Sequence, residues 1–193
     1  PAAWPKEQRI DYELVRAQMN GLDFDLRVLQ PWARDPAYYQ SVWTEMSDTP
    51  EHEGPAHHGL VELWTYSFPL SRGDEQKLAR ELTVVPPLLA QARDNLTGNA
   101  RDLWLTGIGT MKGQVVSLDD LAGRTRSSGA DLRRSIADAR KATVEFVAWL
   151  QAQAPSKTGP SGVGKEAYDW NLRHVHLVPL TWDQEVMLLQ REL

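Results

Sequence analysis

The chain has 193 residues, with 26 acidic and 21 basic side chains and a formal net charge of −5 at neutral pH. This balance argues against nucleic acid as a partner, because phosphate binding relies on clustered Lys and Arg side chains. Cysteine is absent from the sequence, which excludes disulfides, thiolate metal sites and cysteine nucleophiles.

The sequence predicts neither a membrane span nor a signal peptide. No apolar run approaches the roughly 20 residues that a membrane-spanning helix needs, and the opening PAAWPKEQRI lacks a basic-then-apolar pattern. We therefore expect no membrane partner and a cytoplasmic location, although an export signal removed before residue 1 is compatible with the sequence.

The first predicted element is a long amphipathic helix that ends near Gln30, because the residue before Pro31 is steered out of the α region. Two adjacent apolar rows, each with alternating steps of four and three, give it a wide apolar face that we expect to be packed from two sides. Gly21, which is costly in mid-helix, predicts a close crossing. The first row is Ile10, Leu14, Ala17, Gly21, Phe24 and Val28, and the second is Val15, Met19, Leu22, Leu26 and Leu29.

Short helices are predicted over 36–46 and 60–68, on either side of a polar loop. The stretch 74–97 keeps one apolar row across Pro86-Pro87. This pattern predicts two consecutive helices, with the prolines in the first turn of the second.

Residues 101–111 are predicted to be helical despite Gly107 and Gly109 within the range and Gly113 just after it, and Ser117-x-x-Asp120 matches a capping box that would begin another helix. A helix of about 20 residues follows from the apolar row that ends at Leu150. The row comprises Leu132, Ile136, Ala139, Thr143, Phe146 and Leu150.

The end of the chain is predicted to hold a loop over 155–164, a segment over 166–176 whose structure is left open, and a last helix capped by Thr181-x-x-Gln184. The apolar row of the last helix reaches the final residue without a Gly, Asn or Pro stop signal. We therefore expect the chain to be the N-terminal part of a longer one, whose remainder, or a partner, covers this row. The row is Trp182, Val186, Leu189 and Leu193.

Strict apolar–polar alternation is not found in any convincing segment, so the sequence predicts an all-α fold with little or no β-sheet. The predicted architecture is one helical domain over residues 1–193, built as an array or bundle of about seven to nine helices.

The segment GPSGVGKE, residues 159–166, resembles a phosphate-binding P-loop in the spacing of Gly159, Gly164 and Lys165. That motif needs a preceding strand and a Ser or Thr after the Lys. Here the preceding segment is predicted to be helical, and Glu166 would add negative charge beside phosphate and metal. Nucleotide binding is therefore disfavoured.

The segment HEGPAHH, residues 52–58, is a second candidate motif, in this case for metal binding. A zinc-protease helix needs its two His residues four apart, but His52 and His57 are five apart and Gly54-Pro55 interrupts any helix. A loop containing His52, His57 and His58 could still hold a metal, but a polar surface loop is the simpler interpretation.

The block that begins at Ser161 combines flexible glycines with a cation and a phenol. Gly162 and Gly164 allow close backbone approach to a ligand. Lys165 is suited to pair with a carboxylate and Tyr168 to donate a hydrogen bond, and one helical turn places both on the same side. The sequence predicts a substrate-binding loop, with a purely structural role for these residues as the alternative.

The same block, SGVGKEAYDWNLRHVHLVPLTWDQEV at residues 161–186, followed by MLLQREL, resembles the bacterial domain-of-unknown-function family 885. Residues 11–39 and 84–104 are similar to that family's N-terminal helical region. The resemblance implies a largely helical metallohydrolase, similar to zinc peptidases, in chains much longer than this one.

In that family a zinc-binding His-Glu-x-x-Pro-Gly-His-His motif belongs to the later half of the chain. HEGPAHH is one residue short of it, has Ala56 in place of the Gly and lies too early, so no zinc role passes to its His and Glu residues. The resemblance thus implies no catalytic residue and no metal ligand in this chain, with zinc bound elsewhere in the full-length protein.

Two functions are therefore compatible with the sequence. In the first, the chain is the N-terminal helical part of a zinc-dependent, peptidase-like hydrolase, and Gly162, Gly164, Lys165 and Tyr168 contact a small peptide-like substrate. In the second, it is a stand-alone helical module that binds a partner and has no catalysis of its own.

Overall fold

The computed structural model describes residues 4–46 and 61–193. Of these residues 73% are helical, and the two strands are very short, which confirms the predicted helical class. The chain divides into two compact units. The terminal unit comprises Pro1–Gln30 and Gly162–Leu193, and the central unit comprises Pro31–Ser161.

The terminal unit is built from the two ends of the chain. Helix α1 spans Lys6–Phe24, and a π-helical turn, Asp25–Leu29, continues it. Gln30 ends this helix in the left-handed region at a φ of 43°, which agrees with the predicted stop before Pro31. The unit is completed by α7, Lys165–His174, and α8, Trp182–Glu192.

Helix α1 buries one side, with Ala17 and Phe24 as its buried residues. Phe24 stacks on Trp170 of α7, with ring centroids 5.8 Å apart. The predicted close approach at Gly21 is present, because a Cβ there would lie 3.2 Å from Val175 Cγ1. The second apolar row, which we expected to be covered as well, is exposed from Val15 to Leu26.

The described part of the central unit, residues 31–46 and 61–161, contains four long helices and several short elements. The long helices are α3, Arg72–Leu82; α4, Val85–Asn95; α5, Arg101–Arg124; and α6, Ala130–Gln153. The short elements are α2, Pro31–Arg34; 3-10 turns Pro36–Tyr39, Leu63–Thr65 and Ala154–Ser156; and two parallel strands, β1, Val42–Trp43, and β2, Val61–Glu62.

The core of the central unit lies where α3, α4 and α5 pack against α6. The predicted row on α6 is buried from Leu132 to Leu150, and the prolines in the first turn of α4 allow its backbone to continue closely after α3. The largest side chains that are fully buried include Trp104, Phe146, Leu78, Leu82, Leu89, Met111, Leu118, Leu121 and Leu150.

The predicted helix over 36–46 is wrong beyond its first turn. Pro36–Tyr39 is a single 3-10 turn, and β1 follows it. The cause is a long-range contact, since the side-chain Oε1 of Gln114 in α5 accepts hydrogen bonds from the backbone N–H groups of Ser41 and Val42 at 2.7 and 3.1 Å. These bonds satisfy the backbone without a helical turn.

The predicted helix over 60–68 is also wrong for the residues described, because Val61–Glu62 pairs with β1. Leu63–Thr65 then forms a single 3-10 turn, so no α-helix forms over the described residues of this range.

The predicted capping box at Ser117 lies inside α5, where the Ser117 hydroxyl donates to the Gly113 carbonyl. Helix α5 continues past this point because Leu118 and Leu121 extend its buried face. The predicted set of seven to nine helices therefore does not correspond one to one to the observed helices, because some predicted helices are absent and another merges into α5. None of the helices in the described ranges is long and apolar enough to cross a membrane.

Candidate functional site

The four residues predicted to bind substrate lie together at the start of α7. Gly164 occupies the N-cap position of the helix with a φ of 86°, a value that favours glycine over any residue with a side chain. A Cβ added at Gly162 or Gly164 would meet nothing within 4 Å. The backbone of this turn is therefore open to a ligand.

Lys165 is held by two groups from α8. Its Nζ lies 2.7 Å from Asp183 Oδ1 and 3.9 Å from the centroid of the Trp182 ring. The side chain nevertheless remains 57% exposed. An ammonium group has three N–H donors, so Lys165 keeps donors for a ligand while its position is fixed by the ion pair and the ring.

Tyr168 lies one helical turn after Gly164, with its ring on the same part of α7 as Lys165. Its hydroxyl donates a hydrogen bond to Glu185 Oε2 at 2.7 Å. This bond to Glu185 raises the pKa of Tyr168 above its ordinary value, with burial as a smaller cause. Because the single phenolic proton is used in this bond, Tyr168 can accept a hydrogen bond from a ligand but has no proton left to donate.

A third contact connects the first turn of α8 to α7. The backbone N–H of Trp182 donates to Asp169 Oδ1 at 2.6 Å. The predicted capping box at Thr181 is confirmed, since Thr181 and Gln184 exchange side-chain and backbone hydrogen bonds. The start of α8 is thereby fixed against α7 by an ion pair, a phenol–carboxylate bond and a backbone–carboxylate bond.

Asp183 and Glu185, the partners of Lys165 and Tyr168, are functional candidates that the sequence patterns did not identify. Both follow the Thr181 cap, where acidic residues are common because they complement the helix dipole. Because helix capping alone accounts for acidic residues at these positions, the sequence does not indicate that they also contact Lys165 and Tyr168. Only the pairing of α7 with α8 shows that these carboxylates face a cation and a phenol.

The charge of this cluster is negative. The direct contacts between α7 and α8 involve one ammonium, that of Lys165, and three carboxylates, those of Asp169, Asp183 and Glu185. The three carboxylates repel an incoming anion, so a carboxylate ligand suits the site less well than Lys165 alone would suggest.

The loop before Gly162, which belongs to the central unit, makes structural contacts and does not form a phosphate site. Asn99 Oδ1 accepts from the N–H groups of Thr158 and Gly159 at 2.7 and 2.9 Å. The Ser161 hydroxyl accepts from Asp102 and Leu103 and so caps the start of α5. The segment before this loop is helical, which removes the strand that a P-loop requires.

Metal binding has no support among the described residues. In residues 4–46 and 61–193 no group of three or more His, Asp or Glu side chains is placed to hold a metal ion. The candidate loop containing His52, His57 and His58 lies outside the described residues.

The chain was compared with protein-family models, with curated proteins and with solved structures. None of the three comparisons gave a match.

Proposed function

We propose that this chain is the N-terminal helical part of a zinc-dependent, peptidase-like hydrolase, and that α7 and α8 form part of the wall of its substrate cleft. The resemblance of residues 161–186 to family 885 supports the hydrolase class. The observation that carries the binding role is the arrangement of Lys165, which is fixed by Asp183 and Trp182 yet 57% exposed. A donor held in place before the ligand arrives loses little entropy on binding.

The group that Lys165 contacts is a substrate carbonyl in this proposal, rather than a carboxylate. The three carboxylates that join α7 to α8 disfavour a further negative charge. A peptide carbonyl is neutral and accepts the remaining N–H donors of the ammonium. Tyr168, whose proton is committed to Glu185, accepts a peptide N–H. Together they match the alternating donors and acceptors of an extended peptide backbone.

The metal and the general base come from other parts of the full-length protein in this proposal. The apolar row that runs along α8 to its C-cap residue, Trp182, Val186, Leu189 and Leu193, is then covered by that remainder. Trp182, Leu189 and Leu193 are all more than a third exposed, which is unusual for large apolar side chains on one row of a helix.

The test compares hydrolysis of short peptides by the full-length protein and by variants at the site. Lys165→Met keeps the stem over Trp182 but removes the donors, and Lys165→Arg keeps a cation. We expect Lys165→Met to raise KM by about ten- to a hundredfold, because one charge-assisted hydrogen bond contributes roughly 1.5–3 kcal/mol, and Lys165→Arg to restore part of the loss.

The matched control is Lys141→Met, since Lys141 is also an exposed Lys paired with a carboxylate, that of Glu145. It should leave KM unchanged. An unchanged KM in Lys165→Met would contradict the binding role. The hydrolase proposal would fail if the full-length protein, loaded with zinc, hydrolysed no peptide in a mixed library.

A stand-alone interaction module is the second candidate, and the exposed apolar residues of the terminal unit favour it. Helix α8 has no buried residue. This candidate predicts that the 193-residue chain is folded, and that neither it nor any longer product of its gene binds stoichiometric zinc or hydrolyses peptides.

A further inference from the structure

Helix α1 and the first residues of the π-helical turn that continues it carry an apolar row on the side that faces away from the packed residues of α1. Val15, Met19, Leu22 and Leu26 are 60%, 68%, 62% and 52% exposed. The packed side of the same helix holds Ala17 and Phe24, which are 5% and 4% exposed. At 100° per residue the two sides lie nearly opposite each other. The exposed row is therefore separate from the contact that α1 makes with α7.

The spacing of this row is that of a coiled-coil seam. Its steps of four, three and four correspond to alternating a and d positions of a heptad. The row extends over about 17 Å of helix axis, and Tyr12 continues it towards the N-terminus as the preceding a position. A surface row of this kind is stabilised when a second helix packs its own a and d residues against it.

We propose that the exposed row of α1 is a self-association surface, on which α1 of a second copy packs in the antiparallel direction. In the antiparallel register that sets Met19 against Leu22 of the second copy, Val15 meets its Leu26. The flanking e positions in this register are Arg16 and Asp23. Each Arg16 then faces Asp23 of the other copy, so the twofold axis produces two opposite-charge pairs beside the apolar seam.

Both flanking groups are accessible for these pairs. The Arg16 and Asp23 side chains are 53% and 49% exposed. Their present partners, Glu13 and Arg27, belong to the same helix, and such i,i+3 and i,i+4 pairs contribute only a few tenths of a kcal/mol each. Antiparallel packing also sets the two helix dipoles in opposite directions, which favours this orientation over the parallel one.

The first test measures the mass of the intact chain over a concentration series by analytical ultracentrifugation. A single helix pair lies at the small end of specific interfaces, so we expect a dimer whose fraction rises with concentration. Met19→Glu should shift the chain to monomer. Leu14→Glu is the matched control, because Leu14 is 53% exposed on the same helix but outside the row, and it should leave the dimer intact.

The charges test the register. Arg16→Asp should weaken dimerisation at least tenfold, since it places two acidic side chains opposite each other, and Asp23→Arg should do the same with two basic ones. The double variant, Arg16→Asp with Asp23→Arg, should restore the dimer. In a parallel pair, Asp23 would face Gln18 instead, so the double variant would not restore dimerisation.

The absence of cysteine in the sequence allows a direct test of orientation. Under mild oxidation, a mixture of Met19→Cys and Leu22→Cys chains should form a disulfide between the two variants. Efficient crosslinking of Met19→Cys with itself would indicate parallel helices and overturn the antiparallel proposal. A wild-type chain that stays monomeric at all concentrations, or a Met19→Glu variant that still dimerises, would overturn the self-association surface. This inference does not depend on the proposed hydrolase function.

Discussion

The central and terminal units use the same sequence pattern in different ways. In the central unit, the row on α6 from Leu132 to Leu150 is buried in the core. In the terminal unit, rows with the same steps of four and three on α1 and α8 are largely exposed. Periodicity therefore determines which residues share one face of a helix, but it does not determine whether another element covers that face.

This difference predicts that side chains of the two units contribute unequally to stability. Burial removes apolar surface from water, at about 25 cal/mol per Å², and a row that stays exposed gains little of this. Trp104 and Phe146 in the central unit are 0% exposed, whereas Leu189 in the terminal unit is 64% exposed.

The largest expected effect comes from Trp104→Ala. The indole ring is fully buried, and its Nε1–H donates to the Leu150 carbonyl at 2.9 Å. The substitution leaves a large cavity and removes this hydrogen bond, so we expect the free energy of unfolding to fall by about 3–5 kcal/mol. Urea denaturation followed by circular dichroism measures the change.

Leu189→Ala is the counterpart in the terminal unit, and it should change the free energy of unfolding by less than about 0.5 kcal/mol. Equal losses for Trp104→Ala and Leu189→Ala would mean that the exposed row is covered in solution. Sedimentation of the wild-type chain would then show whether self-association provides the cover.

Much of the helical framework follows from local sequence. The stop at Gln30, the proline start of α4, the long row of α6 and the Thr181 cap were all predicted, because each depends on residues close together in the chain. The short elements near residue 40 were mispredicted because Gln114, more than 70 residues away, provides their hydrogen-bond acceptor. Single-sequence patterns carry no signal for such a partner.

The candidate site was predictable to a similar extent. The glycines, Lys165 and Tyr168 could be identified from their residue types and from one turn of helical spacing. Their partners, Asp183 and Glu185, lie 17 or 18 residues further along. Their role depends on how α7 and α8 pack, and this packing converts Tyr168 from the expected hydrogen-bond donor into an acceptor.

Smaller effects on stability are expected from alanine substitutions at Gly107 in the central unit and at Gly21 in the terminal unit, where each glycine lies close to a neighbouring segment. A Cβ at Gly107 of α5 would lie 2.7 Å from Pro36 Cβ and 2.9 Å from the Ala37 nitrogen. Neither group can move easily, so Gly107→Ala should destabilise the fold by about 1–3 kcal/mol. At Gly21 the nearest atom is a Val175 methyl at 3.2 Å, which can shift, so Gly21→Ala should be close to neutral. Thermal melts of both variants measure the difference.

The control for these substitutions is Gly109→Ala on α5, where an added Cβ would meet nothing within 4 Å. With no steric cost, the better helix propensity of Ala should stabilise the protein by up to about 1 kcal/mol. We attribute the need for glycine at position 107 to the close crossing of α5 with Pro36–Tyr39. A Gly107→Ala variant that melts like wild type, or a Gly109→Ala variant that is destabilised, would contradict this explanation.

The smallest expected effect is a pH dependence at the start of α6. Glu75 accepts a hydrogen bond from the Gly129 backbone N–H at 3.1 Å, and this bond, with a smaller one from Ser128, lowers the pKa of Glu75. A lowered folded-state pKa means that the unfolded chain binds the proton more readily, so this stabilisation is present above the ordinary Glu pKa and is lost as the pH falls through the folded value. Glu75→Gln cannot titrate.

The difference in unfolding free energy between wild type and Glu75→Gln should therefore shrink as the pH falls through the ordinary Glu pKa of about 4.3 and below it. The terminal unit should respond at the opposite end of the scale. The raised pKa of Tyr168 makes the folded chain retain a proton that the unfolded chain has lost, so its contribution should decline as the pH rises above the ordinary Tyr value. Tyr168→Phe should remove that alkaline decline and leave the acid range unchanged. Urea titrations of wild type and both variants across pH separate the two contributions, and a Glu75→Gln difference that is constant with pH would contradict the Gly129 hydrogen bond as its source.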